Sequence, residues 1–211
     1  MKQLSSLEGK PNSSEIAIER SRLYFYLYKA SVPSEEKKLI EILENGKSIA
    51  EEGLKLSAEN PILEFWWTAN VGAIAAVKKN LGALKTLFDL EKKLIRFRET
   101  HADYGFGAAD RVLGSMYAEA PRFISIGSKS KAEECLLRAY EKFPQFPGNV
   151  LGLASFYLQQ DRRAEAVKLS LKISESSFIE GGDFGIFNIE RPDWNLKAQT
   201  LLKELKNGEG T

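Results

Sequence analysis

The chain carries one cysteine and one histidine, Cys135 and His101, in 211 residues. No disulfide can close within it, and no Cys/His zinc cluster can be assembled. A lone cysteine on an apolar helical face reads as core filling, because thiols pack as small hydrophobes. Charge of one sign is equally scarce. Thirty basic residues against 29 acidic ones leave a formal charge of +1, so no global field draws the chain to nucleic acid. The local basic run Lys92, Lys93, Arg96 and Arg98 is interleaved with Glu91 and Glu99 and reads as a solvated helix face. Long hydrophobic runs are missing too. The most apolar stretch, "PILEFWWTANVGAIAAV" (61–77), contains Glu64 and Asn70 and falls short of the about 20 residues of a membrane span. It reads as a helix buried among helices. The opening "MKQLSSLEGKPNSSE" lacks the apolar run of a signal peptide, which leaves the compartment open. Alternation of strand length is absent outside 178–189.

What is present is helical periodicity cut by turn signals at short intervals. The chain is 43% hydrophobic and 28% charged, the balance of a folded protein. A first helix is expected over 14–30, with Ile16, Ile18, Leu23, Tyr24 and Leu27 facing inward. Pro33 breaks it, and Ser34 can cap a second helix running to about residue 58. Further helices are expected at 62–79, 83–100 and 106–120, and at 130–142, where Ser130 and Glu133 have capping-box spacing. Others follow at 149–159, at 162–174 behind Asp161 as a cap, and at 193–206. The whole reads as one all-α helical-repeat domain of about eight or nine helices, with flexible ends at 1–12 and 207–211 and an irregular connection over 176–192.

Small residues recur where two helices would touch. In "SKAEECLLRAYEKFP" Ala132 and Ala139 flank the bulky Leu136 and Pro144 ends the helix. Leu113-Gly114 with Tyr117, and Leu153-Ala154 with Tyr157 and Ala166, repeat the theme. The spacing resembles the tetratricopeptide repeat, a helix–turn–helix unit of about 34 residues. The unit from Asn149 onward fits without gaps; the one at 107–144 needs extra residues after Pro121.

The longer stretch from Ala108 to Val167, with Ala120-Pro121, Gly127, Leu136, Pro144 and Asn149 added to those residues, resembles the T component that accompanies some TRAP (tripartite ATP-independent periplasmic) transporters. "RPDWNLKAQTLLKEL" is similar to that family's terminal helix. The resemblance covers about half the chain. It implies a periplasmic accessory role in solute uptake beside a solute-binding protein. The family usually opens on an export signal or lipid-anchor cysteine, and neither is visible here.

No constellation points to catalysis. "DYGFGAAD" holds Gly105 and Gly107, but a phosphate loop of the dinucleotide type needs a preceding strand and a third glycine; the pair reads as a helix boundary. His101 has no serine or cysteine partner for a nucleophilic site. Glu51 with Lys55 and Glu134 with Arg138 have the spacing of surface pairs. The expectation is therefore a non-enzymatic binding protein without metal or cofactor. Stacked helix pairs curve, and first helices line the concave face. Candidate groove residues are Trp67, Asn70, Arg111, Tyr117, Asn149 and Tyr157, with Arg111 available for a carboxylate from a ligand, Asp103 or Asp110. Of the adjacent Trp66 and Trp67, one belongs to the core and the other to the groove. The two tyrosines can equally be packing residues of the repeat. Partners compatible with such a face are a periplasmic solute-binding protein, a small hydrophobic or carboxylate ligand, or a second copy of the chain. The alternative is a general tetratricopeptide adaptor that grips an extended peptide. The loop "APRFISIG" and the segment "GGDFGIFNIE" each offer aromatic residues that either close the core or meet a partner.

Overall fold

In the computed structural model the described residues are 13–31, 35–78, 80–174, 178 and 182–207. Among them the chain is all-α. The helices are α1 (Ser14–Lys29), α2 (Glu36–Leu56), α3 (Pro61–Lys78), α4 (Leu81–Thr100), α5 (Ala108–Glu119), α6 (Lys129–Lys142), α7 (Pro147–Gln159), α8 (Arg163–Ser174) and α9 (Arg191–Asn207). A 3₁₀ turn, Gly185–Glu190, precedes α9. It occupies the one region where strand-like alternation was seen, and no strand forms among the described residues.

Helix ends follow the chemistry of their caps. Ser13 accepts the Ile16 amide at 3.3 Å to open α1. Asn60 accepts the Ile62 and Leu63 amides at 3.1 and 3.2 Å to open α3 at Pro61. Ser34 lies outside the described residues, and α2 begins behind Glu35 without a side-chain cap. The expected Ser130–Glu133 capping box is not the one used. Ser128 N donates to Tyr117 O at 2.9 Å, which fixes residue 128 as the cap, and its hydroxyl accepts the Lys131 amide. Ser130 is thus already helical. Nor does α8 take Asp161 as a hydrogen-bonding cap in the expected way. The helix starts at Arg163, and Asp161, at φ 60°, turns its carboxylate to the Arg163 guanidinium.

The contacts divide into two compact units, Met1–Phe97 with Phe123–Ile126, and Arg98–Arg122 with Gly127–Thr211. In the first, α1, α2 and α3 pack mutually. They come very close at Gly53, where a Cβ would lie 2.7 Å from Ala17 Cβ and 2.9 Å from a Leu63 methyl. The buried stripe of α1 is Ala17, Ser21, Arg22, Leu23 and Tyr26. Of the expected inward set only Leu23 is fully buried; Ile16, Ile18, Tyr24 and Leu27 are half-buried on the flanks. The aromatic Tyr26, packed edge-on to Trp66, takes the centre of the stripe. Helix α4 joins this unit through Leu90, Leu94 and Phe97, the last 4.8 Å from the Phe65 ring.

The second unit holds the sequential pairs α5/α6 and α7/α8, with α6 and α5 also against α7 and with α9 across α7 and α8. This is the arrangement of a helical-repeat array. The small residues sit where the sequence pattern put them: Ala132, Ala139, Ala154 and Ala166 are all buried at helix contacts. At Gly114 a Cβ would meet Leu136 Cγ at 2.6 Å, so the glycine admits the leucine between the two helices. Phe184 and Phe187 fold back into an aromatic cluster with Phe106, Phe146 and Trp194. The segment "GGDFGIFNIE" therefore contributes core aromatics.

Candidate functional site

The six residues picked from sequence divide between the units. In the first, Asn70 lies on the buried stripe of α3, four residues from Trp66 and from Ile74. Its Nδ2 donates to Trp66 O at 2.8 Å and to Ser21 Oγ at 3.2 Å, tying α3 to α1. Its Oδ1 is buried without a hydrogen bond and lies against Gly46 of α2. Trp66 is core. Trp67 is half-buried; its Nε1 donates to Glu51 Oε1 at 3.0 Å, and the Lys93 ammonium sits 5.4 Å from its ring centre. Glu51 thereby faces Trp67 and Lys47, not the expected Lys55.

In the second unit Arg111 and Asn149 come together. Asn149 is fully buried, and its Nδ2 faces three carbonyls: Ala139 O at 2.8 Å, Phe143 O at 3.0 Å and Phe106 O at 3.2 Å. Its Oδ1 accepts from Arg111 Nη1 at 3.0 Å, and the same Nη1 donates to Phe106 O at 2.7 Å. The guanidinium lies 4.4 Å over the Phe146 ring. Of the two carboxylates considered for Arg111, Asp103 pairs with Lys142, and Asp110 pairs with Arg98 and Arg138. Tyr117 and Tyr157 are buried, with Lys131 and Arg162 over their rings. Burial pushes the Tyr157 phenol above its ordinary range, with Glu133 adding to the shift. Arg162 binds Glu133 and Glu165 together, linking α8 to α6.

Sequence reasoning missed a cavity lined by charged groups in this unit. A cavity of about 230 Å³ opens between the end of α4, the start of α5 and the last turns of α6. Arg98, Asp110, Arg138 and Lys142 line it, over Gly107, Ala139 and Phe143. The chain reaches it through a left-handed turn in which Gly105, Phe106 and Gly107 have φ of 57°, 56° and 79°. Phe106 is the costly member, since a side chain in this region is strained; its ring stacks on Phe146 at 4.7 Å and helps hold it there. Gly107 then serves as the entry residue of α5, so the glycine pair is a helix boundary as expected. No local signal announces this cavity, because its charged groups lie on three elements far apart in sequence.

Asp110 is buried, and its Oδ1 lies 3.4 Å from Arg98 Nη1 and 3.4 Å from Arg138 Nε. Burial raises its carboxyl above the ordinary carboxylate range, outweighing the two guanidinium groups. Cys135 lies beneath. Burial first, and the Asp110 charge second, push its thiol up to about 11. It stays protonated and is a poor nucleophile. Glu134 and Arg138 form the expected surface pair at 2.8 Å.

Phe123 and Ile124 do not cover the core, which was one of the two expectations for their loop. They are 98% and 62% exposed. His101 is half-buried, its Nδ1 2.8 Å from Thr100 Oγ1 at the end of α4. Among the described residues no group of His, Cys, Asp and Glu could hold a metal ion, and no helix is long and apolar enough to cross a membrane. Comparison with protein-family models and with curated protein sequences finds no match to the chain.

Proposed function

We propose that the chain is a non-enzymatic binding protein, an accessory of TRAP-type periplasmic solute uptake that holds a small ligand or a solute-binding protein on its helical scaffold. The observation that carries the binding reading is the employment of its polar core. Asn70 and Asn149 spend their amides on neighbouring helices, Cys135 is a protonated core thiol, and Arg111 braces Asn149. These groups build a scaffold rather than a reaction centre. The link to TRAP transport rests on the resemblance of residues 108–167 to the T component, in which the small-residue crossings at Gly114, Ala132, Ala139 and Ala154 are the shared features.

The test is a calorimetric titration of the full chain with the solute-binding protein of a TRAP system from the same genome. Saturable association at one site supports the accessory role. Failure to bind it, together with capture of extended peptides from a displayed library, favours a general peptide adaptor. The half-exposed Trp67 is the natural first variant, since it offers an aromatic face that the scaffold only partly covers.

A further inference from the structure

We propose that the cavity at the start of α5 is a binding site for a phosphate group, either free phosphate or the head of a small phosphate monoester. The inference goes beyond the transport reading and stands without it.

Three cations from two helices converge there: Arg98 from α4, and Arg138 and Lys142 from successive turns of α6. A single carboxylate in the lining, Asp110, faces them. It cannot satisfy both guanidinium groups. Its Oδ1 lies 3.4 Å from each, longer than the about 2.7–2.9 Å of a well-made charge-assisted bond. Arg138 Nε is buried with no hydrogen bond at all. Asp110 therefore acts as a positioning residue. It braces the two forks from within the protein, while Arg138 Nη2 also donates to Glu134 at 2.8 Å, a pair whose carboxylate side is 68% exposed and which a better anion can displace. Lys142 pairs with Asp103, whose side chain is 76% exposed, an interaction that solvent screens and a better anion can displace.

The arrangement favours phosphate over a planar carboxylate. The donors come from α4 and from two successive turns of α6, an arrangement that suits a tetrahedral anion with oxygens pointing several ways. The positive end of α5 adds to the field, with Gly107 in the lining leaving the backbone open to close approach. The cavity also exceeds the size of a bare phosphate, which leaves room for a small organic substituent.

The experiment is calorimetric titration of the full chain at neutral pH and low chloride with inorganic phosphate, glycerol 3-phosphate and acetate. The expected result is one saturable site for a phosphate species, at least tenfold tighter than acetate and weakening as sodium chloride is raised. Tighter binding of glycerol 3-phosphate identifies a monoester site; tighter binding of inorganic phosphate identifies a free-anion site. Arg138→Gln should weaken binding tenfold or more, and Arg138→Lys should restore only part of it, because the ammonium lacks the fork. Should these variants fold poorly, ¹H–¹⁵N spectra of the unaltered protein read the Nε–H resonances of Arg98 and Arg138 directly, and both should shift with phosphate. No saturable phosphate binding, acetate binding as tightly, or unmoved Arg98 and Arg138 resonances would each overturn the assignment. None of these outcomes bears on the titration with a solute-binding protein, so the two readings fail separately.

Discussion

Replacing Asn149 separates a scaffold amide from a ligand-binding one. The side chain is fully buried and joins the start of α7 to the end of α6 and to the Phe106 turn. In Asn149→Ala the three carbonyls are not orphaned. Ala139 O keeps the Phe143 amide, Phe143 O keeps the Phe146 amide, and Phe106 O keeps Arg111. The loss is then three net hydrogen bonds of about 1 kcal/mol each, two donated by the amide and one accepted from Arg111, with a small cavity added, for a cost of about 3–4 kcal/mol. Asn149→Asp is the sharper perturbation. A carboxylate has no donor, so one oxygen would face carbonyl oxygens at close range while only the other keeps Arg111. Its cost at pH 7 should exceed that of the alanine variant. The fold would raise the pKa of this carboxyl, so the deficit should shrink as pH falls and the protonated group donates again. Urea unfolding followed by far-UV circular dichroism, with slopes matching the parent protein, measures each cost. An Asn149→Asp protein as stable as its parent at pH 7 would refute the reasoning.

Other consequences follow from close contacts and buried charge. Ala139→Leu should cost about 1–3 kcal/mol by overpacking, since Ala139 is 1% exposed and its Cβ would lie 3.4 Å from a Cβ placed at Gly107; the urea midpoint measures it. Gly127→Ala should cost at least as much, because the added Cβ would collide with Ala120 O and lie 2.8 Å from the Pro121 carbonyl carbon, backbone that cannot rotate away. Cys135 should resist iodoacetamide at pH 8 in the folded protein and react once urea unfolds it; rapid labelling of the folded protein would contradict its burial. Asp110 binds its proton more tightly folded than unfolded, so its contribution to stability is fully present below the unfolded pKa and fades as pH rises through the raised native value. Asp110→Asn should flatten that part of the stability-against-pH curve, read from urea midpoints across the acid range.

The helices and their crossings were legible because both are local patterns: a 3.6-residue period, a breaker, a small residue seven positions from its fellow. The burial of the two amides has a reason also visible in the sequence. Asn149 shares a face with Leu153 and Tyr157, and Asn70 with Trp66 and Ile74, so each lies on an apolar stripe where a polar group turns inward and binds backbone. The ends of helices were less legible, since Ser128 and Ser130 are both good caps and only the Tyr117–Ser128 backbone bond chooses between them. The Arg98–Asp110–Arg138 cluster gave no signal of any kind. Its members come from α4, α5 and α6, brought together only by the fold, and each alone looks like an ordinary surface charge.

The central claim is that this scaffold binds a partner, and Trp67 offers the most direct test. Trp66 is 2% exposed and Trp194 is 1% exposed, whereas Trp67 is half-buried beside Glu51 and Lys93. Tryptophan fluorescence should therefore report mainly on Trp67 when the TRAP solute-binding protein or its solute is added to the full chain. The account predicts a saturable change in emission that disappears in Trp67→Phe while that variant keeps its helical circular dichroism. An unchanged emission across the titration, with calorimetry also silent for both additions, would contradict it.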